Sequence, residues 1–189
     1  MAKVSNHGAL RVKVPVRHLE HCLKVARKRW RPHTDRWGEK WTLEKELIAT
    51  QAECALADLF GWPNNDRVTW FDYVKTAHPE LPDVVISLAH IDYVFDAKTH
   101  LTRKPSTLIP FADKDKLHRN WYYVPMQYCG NFAEFDILGY RQGWMWELAP
   151  SAEHQAWRLQ PDDLTPIEGL QRLIDMETKA EGLSPTKEK

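Results

Sequence analysis

The sequence predicts a mixed α/β (α+β) fold, a three-layer core in which a mixed central sheet is flanked by helices. Three observations carry this. A sharply delimited helical stripe covers residues 43–59, a series of runs rich in β-branched and aromatic residues follows between 67 and 140, and a second helical pattern opens at 166. The 189 residues suit one domain of ordinary size. With 43% hydrophobic and 28% charged residues, the composition excludes an intrinsically disordered chain.

Taken in order, residues 10–14 alternate as a short strand. Val16, Leu19, Leu23, Ala26 and Trp30 then recur at helical spacing, with Arg17, Lys24, Arg27, Lys28 and Arg31 largely off that stripe, and Pro32 is expected to close the helix. Residues 31–40 read as a loop. Thr42 is the expected N-cap of the next helix, with Glu44 and Glu46 at its positive end. Leu47, Ile48, Ala52, Ala55, Leu56 and Leu59 form its apolar stripe, while Gly61 and Pro63 end it and residues 64–66 turn the chain.

Strands are expected at 67–74, at 83–88 and 91–99 as a hairpin, and at 121–129 and 135–140 around Gly130 and Asn131. The connection 100–120 is long and polar. Thr165-Pro166-Ile167-Glu168 combines a capping-box pattern with a helix-opening proline, so a helix to about residue 180 should follow. Residues 184–189 read as a disordered tail.

The formal net charge is zero but unevenly spread. Residues 1–31 hold nine Lys/Arg against the single acid Glu20, a net of +8, leaving 17 basic and 25 acidic side chains, a net of −8, in the other 158 residues. A basic helical arm over 1–40 on an acidic body over 41–183 points to a polyanionic partner. The alternative is an ordinary solvated helix face. No run of about 18 apolar residues is present, so no membrane-spanning helix is expected. Residues 1–10 carry no apolar signal core. Cys22, Cys54 and Cys129 are widely spaced without a CxxC pair, which argues against a disulfide framework and a structural zinc site. A reducing, cytoplasmic location is the simplest expectation.

Chemistry concentrates at Pro82-Asp83 and Asp96-Ala97-Lys98. Side chains two apart on a strand share a face, so Asp96 and Lys98 project together. If Ala89-His90 is a two-residue loop, paired positions sum to 179 and Asp83 falls opposite Asp96. Opposed carboxylates, with Cβ atoms about 4.5–5.5 Å apart, repel unless a cation lies between them. Hard oxygen ligands suit Mg²⁺ or Mn²⁺. Lys98 is placed to orient a water or to stabilise charge on a phosphate. Glu53, between small neighbours on its own helical row, is the fourth candidate, and Glu46, seven residues earlier, is the weaker alternative.

The order of Ala52-Glu53-Cys54-Ala55-Leu56-Ala57, Pro82-Asp83 and Asp96-Ala97-Lys98 resembles the PD-(D/E)xK nuclease superfamily. Tyr122-Tyr123-Val124 and Ile137-Leu138-Gly139-Tyr140 look like the second pair of core strands in its small phage- and plasmid-type members. The resemblance covers about residues 43–146. It implies a restriction-endonuclease-like α-β-β-β-α-β core and metal-dependent phosphodiester cleavage. Asp83 and Asp96 would be the metal-binding acids, Lys98 the catalytic lysine and Glu53 the helix glutamate that completes the metal site directly or through water. Asp96 is permitted by the family pattern, where glutamate is the commoner residue.

The expectation is therefore a Mg²⁺- or Mn²⁺-dependent nuclease acting on DNA. Glu53, Asp83, Asp96 and Lys98 form its site, Arg17, Lys24, Arg27, Lys28 and Arg31 contact phosphates, and a homodimer is compatible with this reading. The runner-up is a non-catalytic nucleic-acid-binding protein whose acids are structural, and the third reading is a Trp-rich protein-interaction module. His18 and His21 beside Cys22 suggest metal ligands less well than a basic surface helix. Among nine tryptophans, Trp37 and Trp41 are the candidates for base stacking.

Overall fold

The computed structural model describes residues 3–4, 9–37, 41–60, 82–88, 91–101, 107–110, 121–131, 133–143, 149–151 and 156–180. The elements are β1 (Lys3–Val4), β2 (Leu10–Lys13), α1 (Val16–Trp37), α2 (Leu43–Leu59), β3 (Val84–Leu88), β4 (Ile91–His100), β5 (Thr107–Pro110), β6 (Trp121–Tyr128), β7 (Glu134–Ile137), β8 (Arg141–Gln142), β9 (Ala149–Ser151), β10 (Ala156–Leu159) and α3 (Ile167–Ala180). They form a mixed α+β structure. The main sheet has the order β1-β2-β7-β6-β4-β3, with β8 also pairing β6, and a smaller sheet has the order β5-β10-β9.

The hairpin β3–β4 has the register the sequence implied. Leu88 pairs with Ile91 and Val84 with Phe95, every pair summing to 179. Two residues, 89 and 90, separate the arms and lie outside the described residues, as do the expected helix end at 61–63, the turn at 64–66, the strand at 67–74 and the tail from 184. β4 runs parallel to β6, with Asp96 beside Tyr123 and Lys98 beside Pro125. The pairing of β6 passes from Met126–Ile137 on β7 to Tyr123–Arg141 on β8, which inserts one extra residue, a β-bulge. Gly139 sits in that bulge at φ +137°, where an added Cβ would lie 2.7 Å from the Thr165 carbonyl oxygen.

Alternation along the strands divides the packing. Val84, Ile86, Tyr93, Phe95, Val124, Met126, Phe135 and Ile137 form the larger core with Ala52, Leu56 and Ile48 of α2 and Ile167, Leu170 and Ile174 of α3. The opposite face is covered through a second core in which Trp121 and Tyr123 meet Ile109 and Leu159 of the smaller sheet. A mixed sheet flanked by helices is thus present, and among the described residues the small sheet packs on the second face.

The helices depart from expectation at specific points. α1 runs through Pro32 to Trp37. Proline removes one backbone hydrogen bond, and tertiary packing along the preceding turns outweighs that loss. The Trp30 indole N–H donates to the Trp41 carbonyl (3.1 Å), tying the helix end across to the start of α2. The buried face of α1 is Cys22, Val25, Ala26 and Arg29, whereas Val16 is 78% exposed. Within the segment 1–40 expected as an arm, β2 pairs with β7 and α1 packs on α2.

The α2 cap is as expected, Thr42 accepting from the Lys45 N–H. Its burial is not confined to a stripe, because α2 lies between α1 and the sheet. Glu46, Thr50, Gln51 and Glu53 are buried together with the apolar positions.

Candidate active site

Asp83 immediately precedes β3, following Pro82, and its N–H donates to the Phe95 carbonyl (2.9 Å). The β3–β4 pairing ends at Val84–Phe95, and the Asp83 bond to Phe95 falls one residue outside that register, so the chain bends away from the ladder at Asp83. Asp83 Oδ2 accepts the Ala97 N–H at 2.7 Å. The carboxylate therefore supplies the acceptor that a longer β3 would have supplied as a carbonyl, which fixes the side chain against β4.

Asp96 and Lys98 share the face of β4 opposite Phe95 and Ala97. Lys98 Nζ lies 2.9 Å from Asp96 Oδ1, and the side chains are 20% and 7% exposed. Lys98 also stands 5.7 Å from the ring centroid of Tyr123, the residue beside Asp96 on β6. The structure thus brings Asp83, Asp96 and Lys98 together.

Glu53 is placed differently. It is buried on α2 and held by Arg29 of α1, whose Nη1 and Nη2 donate to Oε2 (2.7 Å) and Oε1 (2.9 Å). Arg29 Nε also lies 3.1 Å from Glu46 Oε1, and the Trp41 indole N–H donates to Glu46 Oε2 at 2.8 Å. Burial works to lower the guanidinium pKa, but Glu53, then Glu46 and Asp83, more than reverse this and hold it above its ordinary value. Asp83 is therefore within electrostatic reach of Arg29 and joins the α1–α2 ion cluster to the strand acids.

Arg29 and Glu46 carry more of this site than their sequence signals suggested. Arg29 follows Cys22, Val25 and Ala26 at helical spacing, so its inward position was legible, but its charge made it read as surface. Trp41, a base-stacking candidate, instead spends its indole N–H on Glu46. The side chain of Trp37 lies outside the described residues.

Arg17, Lys24, Arg27, Lys28 and Arg31 are all exposed on α1. Lys24 pairs with Glu20 at 2.8 Å, and this ion pair holds the Glu20 carboxyl below its usual range. Arg17 Nε donates to His18 Nε2 at 3.2 Å. Cys22 and Cys54 are buried free thiols, and the Cys22 pKa is driven up first by its hydrogen bond with Cys54 and then by burial. Among the described residues, no group of three or more His, Cys, Asp or Glu is gathered so as to hold a metal ion. No helix among them is long and apolar enough to cross a membrane.

Compared with protein-family models, with curated proteins and with solved structures, the chain has no significant match.

Proposed function

We propose that this protein is a divalent-metal-dependent nuclease that hydrolyses phosphodiester bonds in DNA, on a restriction-endonuclease-like core. One observation carries the reading: Asp83 and Asp96 are buried, at 6% and 5% exposure, Asp83 accepts the N–H of Ala97 next to Asp96, and Lys98 is paired to Asp96. The topology supports it further. The hairpin's second strand has a parallel neighbour, β6, and the glutamate-bearing helix packs on the same sheet.

The donor set fits a hard divalent cation. Asp83 and Asp96 supply buried carboxylate oxygens beside β4, while Glu46 and Glu53 are engaged by Arg29 on the α1–α2 side. Two neighbouring buried carboxylates are costly to hold in charged form, and a Mg²⁺ or Mn²⁺ ion bound by both would offset that cost. Asp83 and Asp96 are the residues that would hold the ion. When bound, such an ion polarises a phosphoryl oxygen and acidifies a water. Lys98 presents an ammonium beside Asp96, suited to a phosphate oxygen or an attacking water. Glu53 acts at one remove: paired with Arg29, it fixes the guanidinium whose positive field reaches Asp83.

The test is cleavage of single-stranded, duplex and branched DNA and of RNA, with Mg²⁺, with Mn²⁺ and with EDTA. The expected result is cutting that EDTA and Asp96→Asn both abolish. Equal cutting by wild type and Asp96→Asn would exclude this site, and no cutting under any condition would exclude the activity. One observation favours a second reading, a non-catalytic nucleic-acid-binding protein. Both Glu53 oxygens are engaged by Arg29, so the acids also serve to lock α1 onto α2.

A further inference from the structure

β4 does not end its polar face at Lys98. Asp96, Lys98 and His100 alternate on one side of the strand, and successive same-face residues lie about 6.5–7 Å apart. His100 is held at its ring by one contact and at its backbone by another. Its Nε2 is 2.8 Å from the hydroxyl of Thr107, a residue 4% exposed at the start of β5. Its carbonyl accepts from Nε2 of Gln127 (3.2 Å), the residue beside it on β6. The imidazole, itself half-buried, is thus a held group at the edge where the small sheet meets the main one, in line with the acid and the lysine.

We propose that Lys98 and His100 form a two-point phosphate rail along β4: Lys98 takes the phosphate at the reacting position and His100 takes its neighbour on the same strand. The inference rests on the phosphodiester reading of Asp83, Asp96 and Lys98, and extends it to a second, non-reacting phosphate. Two cationic or hydrogen-bonding groups at regular spacing suit a polymeric backbone better than an isolated phosphate, since only a polymer fills both. Thr107 is the positioning residue, because it orients the ring without reaching the ligand.

The test reads binding separately from cutting. In an Asp96→Asn background, the affinity for a fluorescently labelled DNA duplex is measured with His100→Ala, His100→Gln, His100→Lys and Thr107→Val. Loss of one hydrogen bond to a charged phosphate should weaken binding by about tenfold or more in His100→Ala. His100→Lys should retain most of the affinity, and Thr107→Val should lose less than His100→Ala. His100→Gln can keep the Thr107 bond without bearing charge, so a folded Gln variant with weakened binding separates phosphate binding from a purely structural role. In the cutting enzyme, His100→Ala should raise KM more than it lowers kcat.

Unchanged affinity in both His100→Ala and His100→Gln overturns the rail, whether or not the wild type cuts. Failure of wild type to cut, with His100 variants still weakening binding, overturns the nuclease reading and leaves the rail standing. A protein that binds no duplex in any form overturns both.

Discussion

Arg29→Met removes the guanidinium that holds α1 to α2, and the structure sets the scale of the effect. Glu53 loses two charge-assisted hydrogen bonds at 2.7 and 2.9 Å in a side chain 6% exposed, while Glu46 loses a 3.1 Å ion pair but keeps the Trp41 indole N–H. Removing one partner of a buried ion pair costs about 3–5 kcal/mol, because the other charge remains buried. For a chain of 189 residues, at roughly 2–4 °C per kcal/mol, Tm should fall by about 6–20 °C. The deficit should also depend on pH. A buried carboxyl deprived of its cation has a raised folded pKa. Its destabilisation is then full above that folded value and shrinks as pH falls toward the unfolded value of about 4.3. Thermal and denaturant melts followed by circular dichroism, across neutral to mildly acidic pH, measure both effects. In the Arg29→Met background, Glu53→Gln should recover more stability than Glu46→Gln, since Glu53 lost more. A deficit under about 1 kcal/mol, or greater recovery from Glu46→Gln, would refute the argument that Arg29 is held mainly by Glu53.

Three further outcomes follow from the same geometry. Asp96→Asn should lose Mn²⁺ binding, read by calorimetric titration, while its metal-free Tm stays level or rises, because relief of repulsion from Asp83 offsets the loss of the ion pair with the partly exposed Lys98. Gly139→Ala should destabilise by at least about 1–3 kcal/mol in denaturant melts, from strain at a glycine-only backbone angle and from the clash with the Thr165 carbonyl oxygen. Replacing Arg17, Lys24, Arg27 and Lys28 together with alanine should make the plot of log affinity against log salt on duplex DNA shallower, by about 0.9 for each phosphate no longer neutralised, and an unchanged slope would mark α1 as an ordinary solvated face.

What the sequence made legible was local. The Thr42 cap and the hairpin register depend on residues close in the chain, and each follows from side-chain chemistry or from a sum of positions. The helical face of α1 was misjudged because Val16 set the phase of the stripe, yet Val16 is 78% exposed and the inward row is Cys22, Val25, Ala26 and Arg29. A charged residue on that row reads as surface unless its partners are known, and Glu46 and Glu53 lie on another helix. The small sheet was missed for a related reason. β9 is three residues long, carries Pro150, and is stabilised by pairing with β10, which in turn pairs with β5 some fifty residues earlier in the chain, so no local pattern announces it. Asp83 and Asp96 stood out as candidates because like charges expected across a hairpin have no comfortable structural explanation. The arginine that balances their helix-side neighbours required the fold.

The placement of α1 constrains how a nucleic acid could use both its basic face and the strand acids. At about 100° per residue, Arg17, Lys24, Arg27, Lys28 and Arg31 lie between about 100° and 160° around the helix axis from Arg29. Arg29 faces α2, so those cations face away from it. Asp96 and Lys98 occupy the β4 face opposite the one that packs on α2, so the basic face and the strand acids point to different sides of the helical layer. Phosphates gripped by α1 are consequently not the phosphate beside Lys98, and reaching both requires a long or bent substrate. On the proposed nuclease reading, the basic face would be a separate holding surface. On that reading, its removal should raise KM and flatten the salt dependence of binding, with kcat at saturating substrate unchanged.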